Sequence, residues 1–213
     1  MRILALDSAL ARVSAAVTED GQVLGAAAGE QSGALARLAE QALAAAGLAG
    51  RDLNAVAATV GPGSFTGIRA GLALASGLAL ACGIPVVGVS VGEAIAALLP
   101  DVPPARLWVA IDSRRGRIFL ERTGQVTSWA LPALPRPEGP VVLAGDAAEI
   151  AQAALTVLGG VVQRAEIQVS DATGVARAAV RRLAGHLPPR PASPLYVDPP
   201  AAKRAEGLRP PPQ

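Results

Sequence analysis

The sequence has one cysteine, one histidine, one tyrosine and one lysine, and aromatic residues make up 2% of it. A single cysteine, Cys82, excludes an internal disulfide framework and a cysteine-based zinc site, and fits a reducing cytoplasm. A single histidine, His186, excludes paired-histidine metal motifs; beside a proline-rich stretch it gives no basis for a Ser-His-Asp triad. With so few rings, packing must come from Ala, Gly and Leu, so helices must approach their neighbours closely. The excess of Arg over Lys, 18 to 1, reflects genome composition and carries no functional weight.

Charge is also sparse, at 17% of residues, with a net value of +2. It is uneven: residues 1–100 carry 5 basic and 7 acidic side chains, residues 101–213 carry 14 and 10. The second half is mildly basic but lacks the clustered cations and aromatics of a nucleic-acid module. Ala70–Gly92 has no charge at all. Gly77, Cys82-Gly83 and Pro85 interrupt that run, and Ile84–Val89 is strand-forming, so it reads as a buried helix, a turn and a buried strand, not as a membrane span. Near the start, the apolar run meets Asp7 too soon to form a signal-peptide core.

What is abundant is hydrophobic sequence, 51% of 213 residues, enough for one or two cores. The spacing predicts strands at Arg2–Leu6, Val13–Thr18 and Gln22–Ala28, with Asp20-Gly21 as a hairpin turn. A helix follows at Ser32–Ala46, ended by Gly47, then a strand at Ala55–Val60 and a helix to about Cys82. A strand at Val86–Val89 leads to a helix opened by a Ser90/Glu93 capping box. The opening then recurs: Ala5-Leu6-Asp7-Ser8 is echoed by Ala110-Ile111-Asp112-Ser113, and Arg12-Val13 by Arg117-Ile118, all 105 residues apart. Beyond this repeat, strands are expected at Val141–Ala144 and near Val161–Gln163, and a helix from about Asp171 to Gly185 with Ser170 as N-cap. Leu195-Tyr196-Val197 reads as a strand-like island, and the proline-rich end, residues 201–213, as disordered. A meander followed by alternating helices and strands, done twice, predicts an α/β protein of the actin-like type: two ribonuclease-H-like lobes with mixed sheets, at 1–103 and 104–200.

In such folds an Asp at the first strand end holds metal and water, and glycine in the turn admits phosphate. Here Asp7-Ser8-Ala9 keeps the carboxylate and lacks the glycine, and Asp112-Ser113-Arg114-Arg115-Gly116 keeps only part of the pattern. Asp7, Ser8 and Asp112 are therefore read as remnants of a degenerate nucleotide site. The string Gly61-Pro62-Gly63-Ser64-Phe65-Thr66-Gly67-Ile68-Arg69 leaves two readings open. Gly61, Gly63, Ser64 and Thr66 could present amides to an anion at a helix N-terminus, or simply make a tight turn capped by Ser64; the lysine of a P-loop is missing. The helix that follows has Arg69 as its one charge and is apolar on more than one side, so something must cover it: the Ser32–Ala46 helix or a second protein chain.

With Ile3–Ala9, Gly61–Arg69, Gly88-Val89-Ser90, Ala110–Arg114 and Pro194–Val197 together, the chain resembles the TsaB family of tRNA threonylcarbamoyladenosine biosynthesis proteins, once grouped with glycoprotease-like proteins. The resemblance implies an actin-like, non-catalytic scaffold that binds the catalytic TsaD, joined by TsaE, for threonylcarbamoyl transfer to adenosine in tRNAs reading codons that begin with adenine. It implies no cofactor of the chain's own, with ATP or ADP as the candidate at the TsaD interface, contact with tRNA only indirectly, and the capacity to self-associate through the helices that bind TsaD, which leaves both monomer and homodimer open for the isolated chain. Carried over, the interface is the first helix pair, with Leu35, Leu38, Leu43, Phe65, Ile68, Arg69, Leu72 and Leu80. The chain departs from its relatives at Gln31, where many have histidine, and at Tyr196-Val197-Asp198, where many have Tyr-Leu-Arg. The alternatives are an actin-like kinase or ATPase and a glycoprotease-like peptidase; the first needs a competent phosphate turn, the second a nucleophile or metal site.

Overall fold

The computed structural model describes residues 1–30 and 32–198, so Gln31 and the proline-rich tail at 201–213 lie outside the described residues. The first half forms β1 (Arg2–Asp7), β2 (Val13–Glu19), β3 (Gln22–Gly29), α1 (Leu35–Ala46), β4 (Ala55–Gly61), α2 (Phe65–Cys82), β5 (Val86–Ser90) and α3 (Val91–Leu98). The second forms β6 (Leu107–Asp112), β7 (Arg117–Arg122), β8 (Gln125–Ala130), β9 (Val141–Ala144), α4 (Ala148–Val157), β10 (Val162–Arg164) and α5 (Ala172–Leu183). The strands make two five-stranded sheets with matching orders, β3-β2-β1-β4-β5 and β8-β7-β6-β9-β10. In each, the first three strands are antiparallel and the last two join in parallel. β1 and β6 lie 105 residues apart at both ends, so the sequence repeat is a repeat of topology.

Local chemistry explains the boundaries. Asp20 and Gly21 both take positive φ in the β2–β3 hairpin. Gly47 closes α1 in the left-handed conformation, with its N–H on Ala44 O and that of Leu48 on Leu43 O. Ser90 and Glu93 form the expected capping box of α3. Two expectations fail. The N-cap of α5 is Asp171, which accepts from Gly174 N at 2.9 Å, while the Ser170 hydroxyl is buried without a partner. The charged side chain reaches the helix amides one residue later than the sequence suggests. Leu195–Val197 is not a strand: Leu195 N donates once, to Val60 O, and no ladder follows.

Both faces of the first sheet are covered over β1, β2, β4 and β5, which are buried along most of their length, while edge strand β3 is largely exposed. Leu4, Leu6, Val56 and Ala58 pack with Leu35, Leu38 and Ala42 of α1 and with Ile68, Leu72, Ala75 and Ala79 of α2. Ile3, Ala5, Ala55, Ala57, Val87 and Val89 meet Val175, Ala176 and Ala179 of α5, so the last helix of the second half returns to the first sheet. The second sheet packs Ala110, Leu120 and Leu143 against Ala148, Ala151 and Leu155 of α4. α2 is long and apolar enough to cross a membrane by length and composition, but its inner side is part of this core.

Candidate functional site

A cavity of about 570 Å3 opens between the two sheets, where the β1–β2 and β6–β7 turns face each other. Ser8, Ala9, Gly63, Ser64, Thr66, Asp112, Arg114 and Tyr196 are among its lining. Asp7 is not: its carboxyl is 1% exposed, with Oδ1 accepting from Ala9 N at 3.1 Å and from the Thr59 hydroxyl at 3.0 Å. Oδ2 and the nearby Ser170 hydroxyl have no hydrogen-bond partner. Burial raises the Asp7 pKa above the usual carboxylate range, against those hydrogen bonds. The Asp7 carboxyl is thus buried and outside the cavity lining.

The glycine string is explained by contact with the chain itself. A Cβ on Gly63 would stand 2.1 Å from Ala9 O, and one on Gly67 2.1 Å from Ser8 O, distances that only glycine permits. Ser64 N donates to Ala9 O at 2.7 Å, and the Ser8 hydroxyl donates to Gly67 O at 2.8 Å. Ser64 Oγ in turn accepts from Gly67 N at 3.1 Å as the N-cap of α2. The start of α2 is thus laid directly on the β1–β2 turn, and the two elements satisfy each other's polar groups. The close approaches account for Gly63 and Gly67, Ser64 is the N-cap, and Ser64 N and Gly67 N are thereby engaged within the chain.

In the second lobe, Asp112 lines the cavity but is tied to its own turn. It accepts from Arg114 N at 2.7 Å and pairs with the Arg114 guanidinium at 3.4 Å; Asp146 accepts from Asp112 N at 2.9 Å and pairs with Arg114 at 3.1 Å. Burial raises the Asp146 pKa, with Arg114 acting in the opposite direction.

The eight helix residues divide. Leu35, Leu38, Ile68 and Leu72 are buried in the chain's own core, because they form the inner stripes of α1 and α2; they are not surface residues. Leu43 is half-buried. Phe65, Arg69 and Leu80 are exposed, Phe65 at 58% and Leu80 at 85%. Between them Ala70, Ala73, Ser76 and Gly77 are also exposed, so the outer side of α2 is built of small residues, is largely apolar and is left uncovered by the described residues; α1 lies over β2 and β3.

Two constellations were not apparent in the sequence. Arg69 stacks on Phe65 at 3.8 Å, and its Nη2 donates to the Tyr196 hydroxyl at 2.7 Å, fastening the 194–198 segment across the cavity mouth. The second joins the lobes. Glu121 of β7 accepts from the Ser90 hydroxyl and from Gly92 N at 2.8 Å at the start of α3. Burial pushes its pKa up to about 7. Beside it, Glu93 pairs with Arg182 at 2.5 Å and Arg190 at 3.0 Å. Burial alone would raise the Glu93 pKa, but bonds from Ser90 N, Arg182 and Arg190 outweigh it and the pKa is lowered. Arg182 is thereby buried and committed to this cluster. Only the capping-box spacing hinted at this cluster, since its members lie up to 97 residues apart.

Fold and site together define an actin-like two-lobed α/β protein whose first phosphate turn is filled by its own helix. The chain belongs to the TsaD family, tRNA N6-adenosine threonylcarbamoyltransferase, which matches residues 17–130, more than half of its length. It is 36% identical over 123 residues to the tRNA threonylcarbamoyladenosine biosynthesis protein TsaB of Escherichia coli K12, covering 56% of this chain and 53% of that protein. It is 46% identical over 67 residues to the tRNA N6-adenosine threonylcarbamoyltransferase of Paracoccus denitrificans, covering 30% of this chain and 19% of that one. The chain therefore spans about half the length of the first relative and about a fifth of the second. YeaZ from Pseudomonas aeruginosa has the same fold, with a TM-score of 0.76, 22% identity, and coverage of 92% of this chain and 99% of its own.

Proposed function

We propose that this chain is a cytoplasmic accessory subunit in the formation of tRNA threonylcarbamoyladenosine, without catalytic activity of its own, and that it binds the catalytic paralogue TsaD. The observation that carries the reading is the uncovered outer side of α2, with Phe65 and Leu80 exposed and Arg69 as the one charge in 18 residues. A largely apolar helix side of that length suits a helix-to-helix interface. The family match and the likeness to TsaB support TsaD as that partner. The outer sides of α2 and α1 form the interface; TsaE joins through the complex, tRNA is engaged mainly by the partner, and a homodimer through the same helices is the competing state of the isolated chain. Any ATP or ADP sits at the TsaD interface, outside the chain's own first turn, where Asp7 is buried and Ser8 N and Ala9 N are bonded to Thr59 and Asp7. The division at 1–103 and 104–200 is proposed for the two lobes, with α5 as an arm of the second that lies on the first.

The test is capture of TsaD from the same source by the wild-type chain and by Leu80→Glu, with light scattering to give stoichiometry. Leu80 is outside the core, so the variant keeps its melting temperature. A one-to-one complex that the folded variant loses supports the reading. Equal capture by the variant, or turnover of ATP by the chain alone, overturns it.

A further inference from the structure

The second lobe carries a cavity that this reading leaves unused. It measures about 540 Å3 and lies where β6 begins and where β7 turns into β8, bordered by residues 136–141. Arg106, Arg122 and Arg136 all line it. Among the described residues none of the three enters an ion pair, although Glu138 stands at the same rim. Two are held by neutral contacts: Arg106 Nε donates to Pro140 O at 3.1 Å, and the Arg122 guanidinium lies over the Trp108 ring at 5.0 Å. These contacts hold two of the guanidiniums without pairing them to a carboxylate, and the lining carries three cations against the one acidic side chain of Glu138. Three like charges around one concavity repel unless an anion enters, and guanidinium forks match phosphate oxygens. Trp108 is 6% exposed and already faced by Arg122, so it offers no ring for a base to stack on.

We propose that this arginine cavity docks the phosphate backbone of RNA, without reading base sequence. The choice of RNA as the phosphate carrier rests on the proposed function; the anion site rests on the cavity alone. The test is fluorescence anisotropy of a labelled, unmodified tRNA transcript with the full chain across a salt series. Arg106→Gln/Arg122→Gln/Arg136→Gln is expected to bind roughly tenfold more weakly at low salt and to lower the slope of log affinity against log salt by about 2. The corresponding triple Lys variant keeps most of the affinity and slope, because charge is retained and only the fork is lost. Arg51→Gln/Arg177→Gln/Arg181→Gln removes the same charge elsewhere and is expected to weaken binding about threefold or less. No measurable tRNA binding by the wild-type chain, or an equal loss in both Gln triples, overturns the proposal. Displacement of tRNA by micromolar pyrophosphate overturns the RNA assignment in favour of a small-anion pocket. TsaD capture by the cavity variant separates the two readings: loss of tRNA with capture intact supports this site, and tRNA binding unchanged with capture intact removes this site alone.

Discussion

The two lobes share one strand order and differ in what lies against it. In the first, α1 and α2 cover one sheet face and α3 and α5 the other, and the β1–β2 turn is sealed by the start of α2 through Gly63 and Gly67. In the second, the stretch between β8 and β9, where the first lobe has α1, holds only a short turn at Leu131–Ala133 and a proline-rich passage to Pro140. That substitution leaves the arginine cavity beside Trp108, and the β6–β7 turn stays open: a Cβ on Gly116 would meet nothing within 4 Å. Duplicated topology does not preserve duplicated chemistry: one copy closed its turn on itself, the other kept cationic surface.

The largest effect expected is at the joint between the halves. Glu93→Ala leaves Arg182 charged and buried, and the loss is about 4 kcal/mol by denaturant unfolding. A cost under about 1 kcal/mol there would mean that α5 is not anchored to the first lobe by this pair. Next comes the contrast of the two turns. Gly67→Ala drives a methyl group into Ser8 O and costs about 3 kcal/mol, whereas Gly116→Ala meets open space and costs about 1 kcal/mol, from its positive φ alone. Equal losses would erase the distinction between a sealed and an open turn.

Glu121 gives a pH signature to the joint. Its pKa is raised on folding from an ordinary 4.5 to about 7, so the protonated form is the one the fold favours. Its contribution is full below the unfolded pKa and is lost as pH rises through about 7. Glu93, with a lowered pKa, acts oppositely: its contribution is present above the unfolded value and lost as pH falls. Glu121→Gln mimics the protonated carboxyl: its oxygen accepts from Gly92 N and its NH2 donates to the Ser90 hydroxyl, without the charge, and the variant is expected to be more stable than wild type by about 2 kcal/mol at about pH 8 and nearly equal at about pH 4. Chemical denaturation at the two pH values checks this; a gap of the same size at both would remove the titration. The smallest effect is at the strap: Tyr196→Phe loses the hydroxyl bonded to exposed Arg69 and costs about 0.5 kcal/mol, visible as faster proteolysis of the C-terminal segment.

Much of this was legible in the sequence because it is local. The 105-residue echo gave the duplicated topology, Asp20-Gly21 the hairpin, Gly47 the end of α1 and Ser90/Glu93 the start of α3. The interface list was half legible. Helical spacing finds an apolar helix, but α2 is apolar around most of its circumference, so periodicity could not separate Ile68 and Leu72, which face the sheet, from Phe65 and Leu80, which face outward.

The sequence by itself determined the order of elements, the repeat and the absence of glycine from the Ser8-Ala9 turn, because each depends on residues adjacent along the chain. Tertiary structure decided what those residues meet. Gly63 and Gly67 could have served an anion or a neighbouring backbone, and only the approach of α2 to the β1–β2 turn settles it. Glu121 against Ser90, Arg182 against Glu93 and the arginines around Trp108 are likewise products of folding. Charge burial and ion pairing depend on distances in space, and residues separated by tens of positions carry no mark of their neighbours until the sheets are assembled.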